Sequence, residues 1–315
     1  MNKKYFNKLA LWSLGCILVG VGFVACEQTQ EAFQDRKTRD NSADIRAYVA
    51  ANNLKADSLT SGLYYVVNNT NPSAQLPQIG DEITLSFISR RLDGVIVDSS
   101  YTGYPYTYIR NPYLTGSSYR FAGVPSFEDL MTTGVEKVRE GDKVTLFVPW
   151  SLRAGTTASL LAPLYIPLRY DLNIIKVRTE SEQINDYFKS INVTPTEVAT
   201  NGIRFIKTLV NSDSAAIKVG DAVSTIYTGR FASTGTIFDA GTINVTVVDT
   251  ASTATGGSVV KGFNAGIYRM KYGEKAIIAF PSALGYGVNG KTNPNGSIAI
   301  PGYSPLIFEI EVHKQ

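Results

Sequence analysis

The sequence predicts an α+β fold in two copies, each an antiparallel β-sheet wrapped over a short α-helix and preceded by an extra N-terminal helix. Strand-like segments outnumber helical ones, and the chain lacks the regular strand–helix alternation that a parallel sheet requires. The chain has 315 residues, 44% of them hydrophobic, which suffices for two domains with buried cores. An internal repeat is the third observation behind this prediction.

The repeat consists of matched segments in the same order at nearly constant spacing. The matches are Ile45 with Ile184, Tyr48 with Tyr187, Gly62 with Gly202, the turn 79–81 with 219–221, GDKVTLFVP (141–149) with GEKAIIAFP (273–281), and PLYIPLRYDL (163–172) with PGYSPLIFEI (301–310). Such regularity predicts two copies of one module of about 135 residues.

The elements of each copy follow from the spacing of apolar residues. A short polar helix is predicted at 42–52 and 181–191, because residues such as Ile184, Tyr187 and Phe188 recur at helical spacing. Strands are predicted at 63–67, 82–89, 143–149 and 167–176 in the first copy, and at 203–208, 222–231, 275–281 and 305–313 in the second. A second short helix is predicted at 126–138 and 262–270.

The N-terminus has the layout of a secretory signal. Three lysines precede an apolar run over 9–25, and Cys26 follows directly. The residues before Cys26 resemble a bacterial lipobox, which implies cleavage before that cysteine and a lipid on its sulfur. A transmembrane anchor is the alternative, although the run is shorter than the ~20 residues that a span usually needs. Segment 27–40 is polar and unpatterned, which predicts a tether.

Charge and composition exclude several classes of function. The signal holds three of the 30 basic residues and none of the 27 acidic ones, so the remaining chain has 27 of each. A nucleic-acid partner therefore has no electrostatic support. With Cys16 removed and Cys26 acylated, no cysteine is left for a disulfide or a metal site. His313 is the only histidine, which argues against a catalytic histidine pair, and neither a metal nor a cofactor is predicted.

Four segments of the second copy carry a family resemblance. In order, they are VSTIYTGRFASTGTIFDA, VVKGFNAGIYRMKYGEKAIIAFP, LGYG and IAIPGYSPLIFEIEV. Together they resemble the FKBP-type peptidyl-prolyl cis-trans isomerases across residues 203–313, whose pattern runs Y-x-G, F-D, V-I-x-G-W, A-Y-G and I-P followed by L-x-F-x-V. Each piece is weak alone, but the ordered set is specific.

The resemblance implies an apolar, aromatic prolyl site in the second copy. Its implied catalytic residues are Tyr227, Phe238, Asp239, Tyr286 and Phe308, and its implied substrate-binding residues are Val259, Val260, Phe263 and Ile300. Phe263 stands where the family usually has tryptophan. The loop 240–258 lacks the family's aromatic residue and has Val245 and Val247 instead.

The first copy keeps scaffold residues and loses most of the implied site. The tyrosine of Y-x-G becomes Phe87, and the F-D pair becomes Val97–Asp98. The tryptophan position falls near Met131 and the A-Y-G tyrosine near Ala154. Only Asp98 and Tyr170, the match of Phe308, survive, so this copy is predicted to be FKBP-like without isomerase activity. Its Tyr-rich insertion, 101–121, is either a binding loop or a packed flap.

The predicted function is that of a peptidyl-prolyl isomerase and folding helper for exported proteins. Its partners would be proline-containing polypeptides and, through the lipid on Cys26, a membrane of the bacterial cell envelope, outside the cytoplasm (periplasm or outer membrane). The alternative is a non-catalytic FKBP-fold binding or assembly lipoprotein. The predicted segments are a signal peptide (1–25), a flexible tether (26–40), a degenerate domain (41–178) and an isomerase domain (179–315).

Overall fold

The computed structural model describes residues 33–68, 71–100, 105–110, 138–153, 159–249 and 259–315. Several predictions lie outside these ranges: the signal peptide, Cys26, the helix at 126–138, Met131, Ala154 and most of the insertion 101–121. Within the described ranges, no helix is long and apolar enough to cross a membrane.

The first half of the chain forms one antiparallel sheet behind a helix, α1, whose described residues are 33–51. Its strands are β1 (Asp57–Ser58), β2 (Tyr64–Asn68), β3 (Glu82–Arg91), β4 (Ile96–Ser99), β5 (Tyr106–Ile109), β6 (Lys143–Val148) and β7 (Leu168–Arg178), and a 3-10 helix spans Trp150–Arg153. The order is β1-β2-β6-β7-β3-β4, with β5 also paired to β3. Every described pair is antiparallel.

The second half repeats this plan. Its elements are α2 (Glu180–Ser190), β8 (Glu197–Val198), β9 (Arg204–Leu209), β10 (Ala222–Phe231), β11 (Ile237–Thr246), α3 (Lys261–Tyr268), β12 (Lys275–Phe280), a 3-10 helix (Ser282–Leu284), β13 (Lys291–Thr292), β14 (Ile298–Ile300) and β15 (Leu306–Lys314). The main sheet runs β11-β10-β15-β12-β9-β8, and β13 and β14 form a separate hairpin. The predicted α+β class with antiparallel sheets over short helices is confirmed.

Strand β12 of the second sheet is buried on both faces. Ile278 and Phe280 point to the core under α3, whereas Ile277 and Ala279 pack against α2 on the other face. Because successive side chains of a strand alternate between faces, a strand covered on both sides reads as a continuous apolar run. This accounts for the sequence KAIIAF.

The helix α2 begins at a capping box. The hydroxyl of Thr179 accepts a hydrogen bond from the backbone N–H of Glu182, and the Glu182 carboxylate accepts one from the backbone N–H of Thr179. Two otherwise unpaired donors of the first turn are thereby satisfied. The helix starts directly after β7, so only Thr179 separates the two sheet-and-helix units.

The helix α1 differs from its prediction, because residues 33–40, expected within a tether, are helical. Two residues of this polar stretch and its continuation contact Tyr165 and hold the helix in place. The ring of Phe33 packs edge-on against Tyr165 at a centroid distance of 5.4 Å. Asn41, 2% exposed, donates through Nδ2 to the Tyr165 carbonyl at 2.9 Å. These contacts extend the helix beyond the segment that apolar periodicity identified.

The duplication extends to unusual backbone angles. Asn53 and Asn192 have φ angles of 52° and 54°, and Tyr165 and Tyr303 have 62° and 57°. Non-glycine residues rarely adopt positive φ, least of all bulky ones, so the same exception at matched positions is strong evidence for two copies of one backbone. The matched glycines Gly62/Gly202, Gly80/Gly220 and Gly141/Gly273 share the left-handed conformation as well.

Candidate functional site

The floor of the candidate site is Phe308, which is the third residue of β15 and is 5% exposed. Its ring packs edge-on against Phe263 of α3 at a centroid distance of 5.0 Å. Phe280 of β12 stacks on it at 5.8 Å, and Phe238 of β11 contacts it edge-on at 5.7 Å. Tyr227 of β10 lies at 6.1 Å. We call these five rings the aromatic cluster.

Gly229 on β10 allows two rings of the aromatic cluster to meet. It lies directly opposite Phe308 of β15 and Asp239 of β11 in the two strand ladders. A Cβ atom on Gly229 would lie 2.7 Å from Cζ of Phe238 and 2.8 Å from Cε1 of Phe308. Since packed interiors leave no such space, any side chain here would displace the rings.

The solvent-facing edge of the site is polar. The Tyr227 hydroxyl donates to Oδ2 of the exposed Asp239 at 3.1 Å. Burial, helped by this bond and the Asp239 charge, raises the pKa of Tyr227. Burial and the Asp239 charge likewise raise the pKa of Tyr286. Both hydroxyls therefore stay protonated at neutral pH: the Tyr227 hydroxyl donates its proton to Asp239, and the Tyr286 hydroxyl can donate a hydrogen bond.

Tyr286 is carried by a turn that closes on Ser282. The backbone N–H groups of Gly285 and Gly287 both donate to the Ser282 carbonyl, each at 2.8 Å. Gly287 has φ 64°, a left-handed conformation that favours glycine. The ammonium group of Lys291 lies over the Tyr286 ring, 5.6 Å from its centroid. This supplies a cation–π contact at the edge of the site.

The other predicted residues surround the same core. Val259 and Val260 are half-buried against it, and Val260 is the N-cap residue of α3. Ile300 is 3% exposed and pairs with Lys291 in the β13–β14 hairpin. All nine predicted catalytic and substrate-binding residues thus belong to one region of the second half. Phe263, Phe308 and Ile300 form its buried base, and the others form its edge.

Sequence reasoning missed three contributors. Phe231 packs on Phe238 at 5.0 Å, Phe280 stacks beneath Phe308, and Lys291 covers Tyr286. The alternation of β10 was a signal for Phe231 and the apolar run of β12 was one for Phe280, whereas no pattern indicated the lysine. Val245 and Val247 are 2% and 1% exposed, so they fill the core rather than form a wall of the site. Among the described residues, no group of three or more His, Cys, Asp or Glu side chains is placed to hold a metal ion.

Comparison with known proteins agrees with this geometry. The family model for FKBP-type peptidyl-prolyl cis-trans isomerases matches residues 213–313. FK506-binding protein 1A of Aspergillus fumigatus is 38% identical over 96 residues, which cover 30% of this chain and 78% of that protein. The chain belongs to the FKBP-type peptidyl-prolyl cis-trans isomerase family.

Two other matches extend over more of the chain. The macrophage infectivity potentiator of Trypanosoma cruzi is 26% identical over 188 residues, covering 56% of this chain and 86% of that protein. A crystal structure of the three FKBP domains of wheat FKBP73 aligns with 81% of this chain and 95% of its own, with 20% identity and a TM-score of 0.36.

The first FKBP-like domain has a different interior at the glycine position of the Tyr-x-Gly motif. There Ser89 is 1% exposed, and its hydroxyl donates to the Asp98 carbonyl at 3.2 Å. Phe87, at the tyrosine position, packs against the first core and has no hydroxyl to offer Asp98. The side chain of Ser89 occupies the room that a glycine leaves to aromatic rings in the second domain.

A buried arginine further distinguishes the first domain. Arg153, 7% exposed, donates through Nη1 to the Ile166 carbonyl at 2.8 Å. Burial raises the pKa of Tyr170, the match of Phe308, to about 12, and the positive charge of Arg153 opposes this rise. A cationic side chain beside a buried phenol replaces the apolar base found in the second domain.

Tyr170 gives the first domain a specific alkaline sensitivity. Its pKa rises from 10.0 to about 12 on folding, so the unfolded chain loses the phenolic proton first as the pH rises. Stability from this group is therefore present below about pH 10 and is lost toward about pH 12, at up to about 1.4 kcal/mol per pH unit. We expect Tyr170→Phe to remove this loss. Denaturant unfolding of both proteins at about pH 9 and about pH 11 checks it, and equal pH responses would contradict it.

Proposed function

We propose that the second domain is a peptidyl-prolyl cis-trans isomerase acting on proline-containing polypeptides. The observation that carries the proposal is the convergence of the aromatic cluster with Tyr286 and the Tyr227–Asp239 pair on one side of the second sheet. The family to which the chain belongs supports the same reaction type.

The reaction suits a site without a nucleophile. Amide resonance opposes rotation about the X–Pro bond with a barrier of about 18–20 kcal/mol, and no bond is broken. The twisted amide is less conjugated than the planar one, so an apolar site that excludes water favours it over the solvated ground state. Lowering the barrier by ~5 kcal/mol accelerates rotation roughly a few thousandfold.

The residues divide into an apolar platform, one donor to the substrate and a hydrogen-bonded pair that shapes the edge of the site. The prolyl ring lies against the half-buried edge of the aromatic cluster, where Phe238 and Tyr227 stand above the buried Phe263. The Tyr286 hydroxyl, kept protonated by burial and by Asp239, donates to a substrate carbonyl. Asp239 fixes the Tyr227 ring through its hydroxyl, which sets the shape of the edge.

The first domain, on this proposal, is FKBP-like without isomerase activity. Ser89 and the buried Arg153 occupy its interior where the second domain has a glycine and an apolar base. A buried cation disfavours the apolar, dewatered setting that the twisted amide needs. Its part in the molecule is then structural or in client binding.

We further propose that the protein is a lipoprotein of the bacterial cell envelope, anchored through Cys26 outside the cytoplasm, which helps exported proteins to fold. The support is the basic start, the apolar run and the cysteine that follows it. Exported chains reach that compartment unfolded, and slow prolyl isomerisation limits the folding of many of them.

A pair of matched substitutions tests which domain is catalytic. Asp239→Asn removes the charge beside Tyr227 and Tyr286, and we expect kcat/KM of prolyl isomerisation to fall by roughly tenfold, about 1.4 kcal/mol of barrier. Asp98→Asn makes the same chemical change at the matched position of the first domain and should leave activity within about twofold. A proline cis-trans assay on the full chain measures both.

Two results of that assay would overturn the proposal. If the unmodified protein does not accelerate isomerisation above the uncatalysed rate, the non-catalytic binding or assembly role is favoured. Loss of activity in Asp98→Asn, with Asp239→Asn unaffected, would place catalysis in the first domain. A lipid mass shift on the N-terminal peptide of the native protein, lost in Cys26→Ser, tests the anchor separately.

A further inference from the structure

The turn that carries Tyr286 is hydrogen-bonded to α2, the helix at the junction of the two domains. Glu180, the first residue of α2, accepts two hydrogen bonds from Ser282: one from the backbone N–H at 2.5 Å and one from Oγ at 2.7 Å. Ser282 is 5% exposed, and its carbonyl closes the turn. The Glu180 carboxylate therefore fixes the residue on which the Tyr286 turn is built.

The first domain is connected to the same turn through Tyr303. Tyr303 donates its backbone N–H to the Gly287 carbonyl at 2.9 Å, directly after Tyr286. The Tyr303 ring in turn lies on the backbone of Gly80, so closely that a Cβ atom there would be 2.8 Å from Cδ1. Gly80 belongs to the turn before β3 of the first domain. A chain of contacts therefore leads from the first domain to the residue beside Tyr286.

The junction that makes these contacts is held by an arginine. Arg178, the last residue of β7, forms an ion pair with Glu82, which is 4% exposed at its side chain. The same guanidinium pairs with Asp186 of α2 at 3.1 Å and donates to the Ser233 carbonyl of the β10–β11 turn at 3.1 Å. One side chain thus joins the first sheet, α2 and the second sheet.

In the first domain, the hydrogen bond that corresponds to Ser282–Glu180 is formed between two residues of that domain. The repeat places Asn41 where the second domain has Glu180, and its Oδ1 accepts from the backbone N–H of Trp150 at 2.9 Å. Trp150 stands at the start of the 3-10 helix, as Ser282 does in the second domain. A helix residue holding this turn is therefore part of the module, and only in the second domain does that turn lead to Tyr286.

The two matched tyrosines with positive φ, Tyr165 and Tyr303, also differ in what covers their rings. In the first domain, Tyr165 is covered by Phe33 of α1 and by Trp150, at centroid distances of 5.4 and 4.8 Å. In the second domain, the matched Tyr303 packs on Gly80, which comes from the other domain. The first domain therefore covers Tyr303 of the second domain, as the N-terminal part of α1 covers Tyr165 in the first domain.

We propose that the first domain and Glu180 position Tyr286 for substrate. This inference rests on the proposed function, in which the Tyr286 hydroxyl binds a substrate carbonyl. Glu180 and Gly80 act as positioning residues: they touch Ser282 and Tyr303, and these two hold the turn on either side of Tyr286. A domain without a prolyl site of its own thereby contributes to the site of its neighbour.

A pair of glycine substitutions tests the contact between the domains. Gly80→Ala and Gly220→Ala impose the same backbone strain, because the φ angles are 93° and 91°, but a Cβ at Gly220 meets no atom within 4 Å. We expect Gly80→Ala to raise KM roughly fivefold with little change in kcat, since Tyr286 binds substrate in both ground and transition states. Gly220→Ala, although it lies in the catalytic domain, should stay within about twofold.

A second set of variants reads the turn without using activity. Glu180→Ala should speed hydrogen exchange of the Gly285 and Gly287 amides by roughly tenfold, because both donate to Ser282. Glu180→Gln, which can still accept from the N–H and donate to the hydroxyl, should restore protection. Asn41→Ala makes the matched loss in the first domain and should leave these two amides unchanged.

The outcomes separate the two proposals. If the unmodified chain lacks isomerase activity but Glu180→Ala and Gly80→Ala loosen the two amides, the positioning contact stands and the isomerase function fails. If the unmodified chain is active and neither variant changes the amides or KM, the positioning role is overturned. Equal effects of Gly80→Ala and Gly220→Ala would assign the result to backbone strain and also overturn it.

Discussion

Replacing Phe308 with alanine is expected to lower the free energy of unfolding of the second domain by about 3–5 kcal/mol. The side chain is 5% exposed and touches the four other rings of the aromatic cluster. Truncation loses the transfer free energy of a buried phenyl ring and leaves a cavity. Strands β10 and β12 flank β15 through backbone bonds, so they cannot easily close that cavity.

The matched control is Tyr170→Ala in the first sheet. Two sheet units in one chain need not unfold in a single step, so unfolding should be followed in denaturant with more than one probe. Phe308→Ala should shift the step that belongs to the second domain, and Tyr170→Ala the step that belongs to the first. A loss below about 1 kcal/mol for Phe308→Ala would mean that the aromatic cluster is not tightly packed.

Most of the fold is predictable because its strands carry a strong apolar pattern. The predicted strand at 222–231 coincides with β10, the one at 275–281 ends one residue after β12, and the one at 305–313 is shifted by one residue from β15. Glycines at turns with positive φ, such as Gly202 and Gly220, fix where strands begin. The repeat then carries each element from one half to the other.

The elements that escaped prediction lack such a pattern. The ten residues of β11 are mostly exposed, contain Gly241 and show no apolar alternation, so they read as loop. The strand forms because β10 offers an edge with which it pairs over its full length. The early start of α1 likewise depends on Phe33 meeting Tyr165, more than a hundred residues away, which local propensity does not encode.

The resemblance named residues that the structure places in one region, but it did not indicate which of them are buried and which are partly exposed. The resemblance identified Phe263 and Phe308 as direct participants, whereas both are almost completely buried and support the half-buried Tyr227 and Phe238. The approach of Gly80 to Tyr303 was invisible for a different reason. It joins the two copies of the repeat, and internal symmetry predicts contacts within a copy only.

Replacing Gly229 with alanine is expected to reduce kcat/KM by roughly 100-fold, about 2.7 kcal/mol of barrier, at a stability cost of about 1–3 kcal/mol. The new methyl group would overlap Phe238 and Phe308 at 2.7 and 2.8 Å, so the two rings must separate. The edge of the aromatic cluster then loses the surface on which we propose that the prolyl ring binds. Prolyl isomerisation kinetics and thermal unfolding, measured on the same sample, distinguish loss of the site from loss of the fold.

Gly241→Ala is the control for that experiment. It places the same methyl group on the neighbouring strand, where the nearest atom, the Tyr227 hydroxyl oxygen, is 4.0 Å away, an ordinary contact distance. Activity within about twofold is expected there. Because the first domain has Ser89 at the position of Gly229, the same experiment tests our proposal that only the second domain is catalytic. A fully active Gly229→Ala protein would show that the two rings need not meet, and the difference between the domains would then have to come from Arg153 and Tyr170.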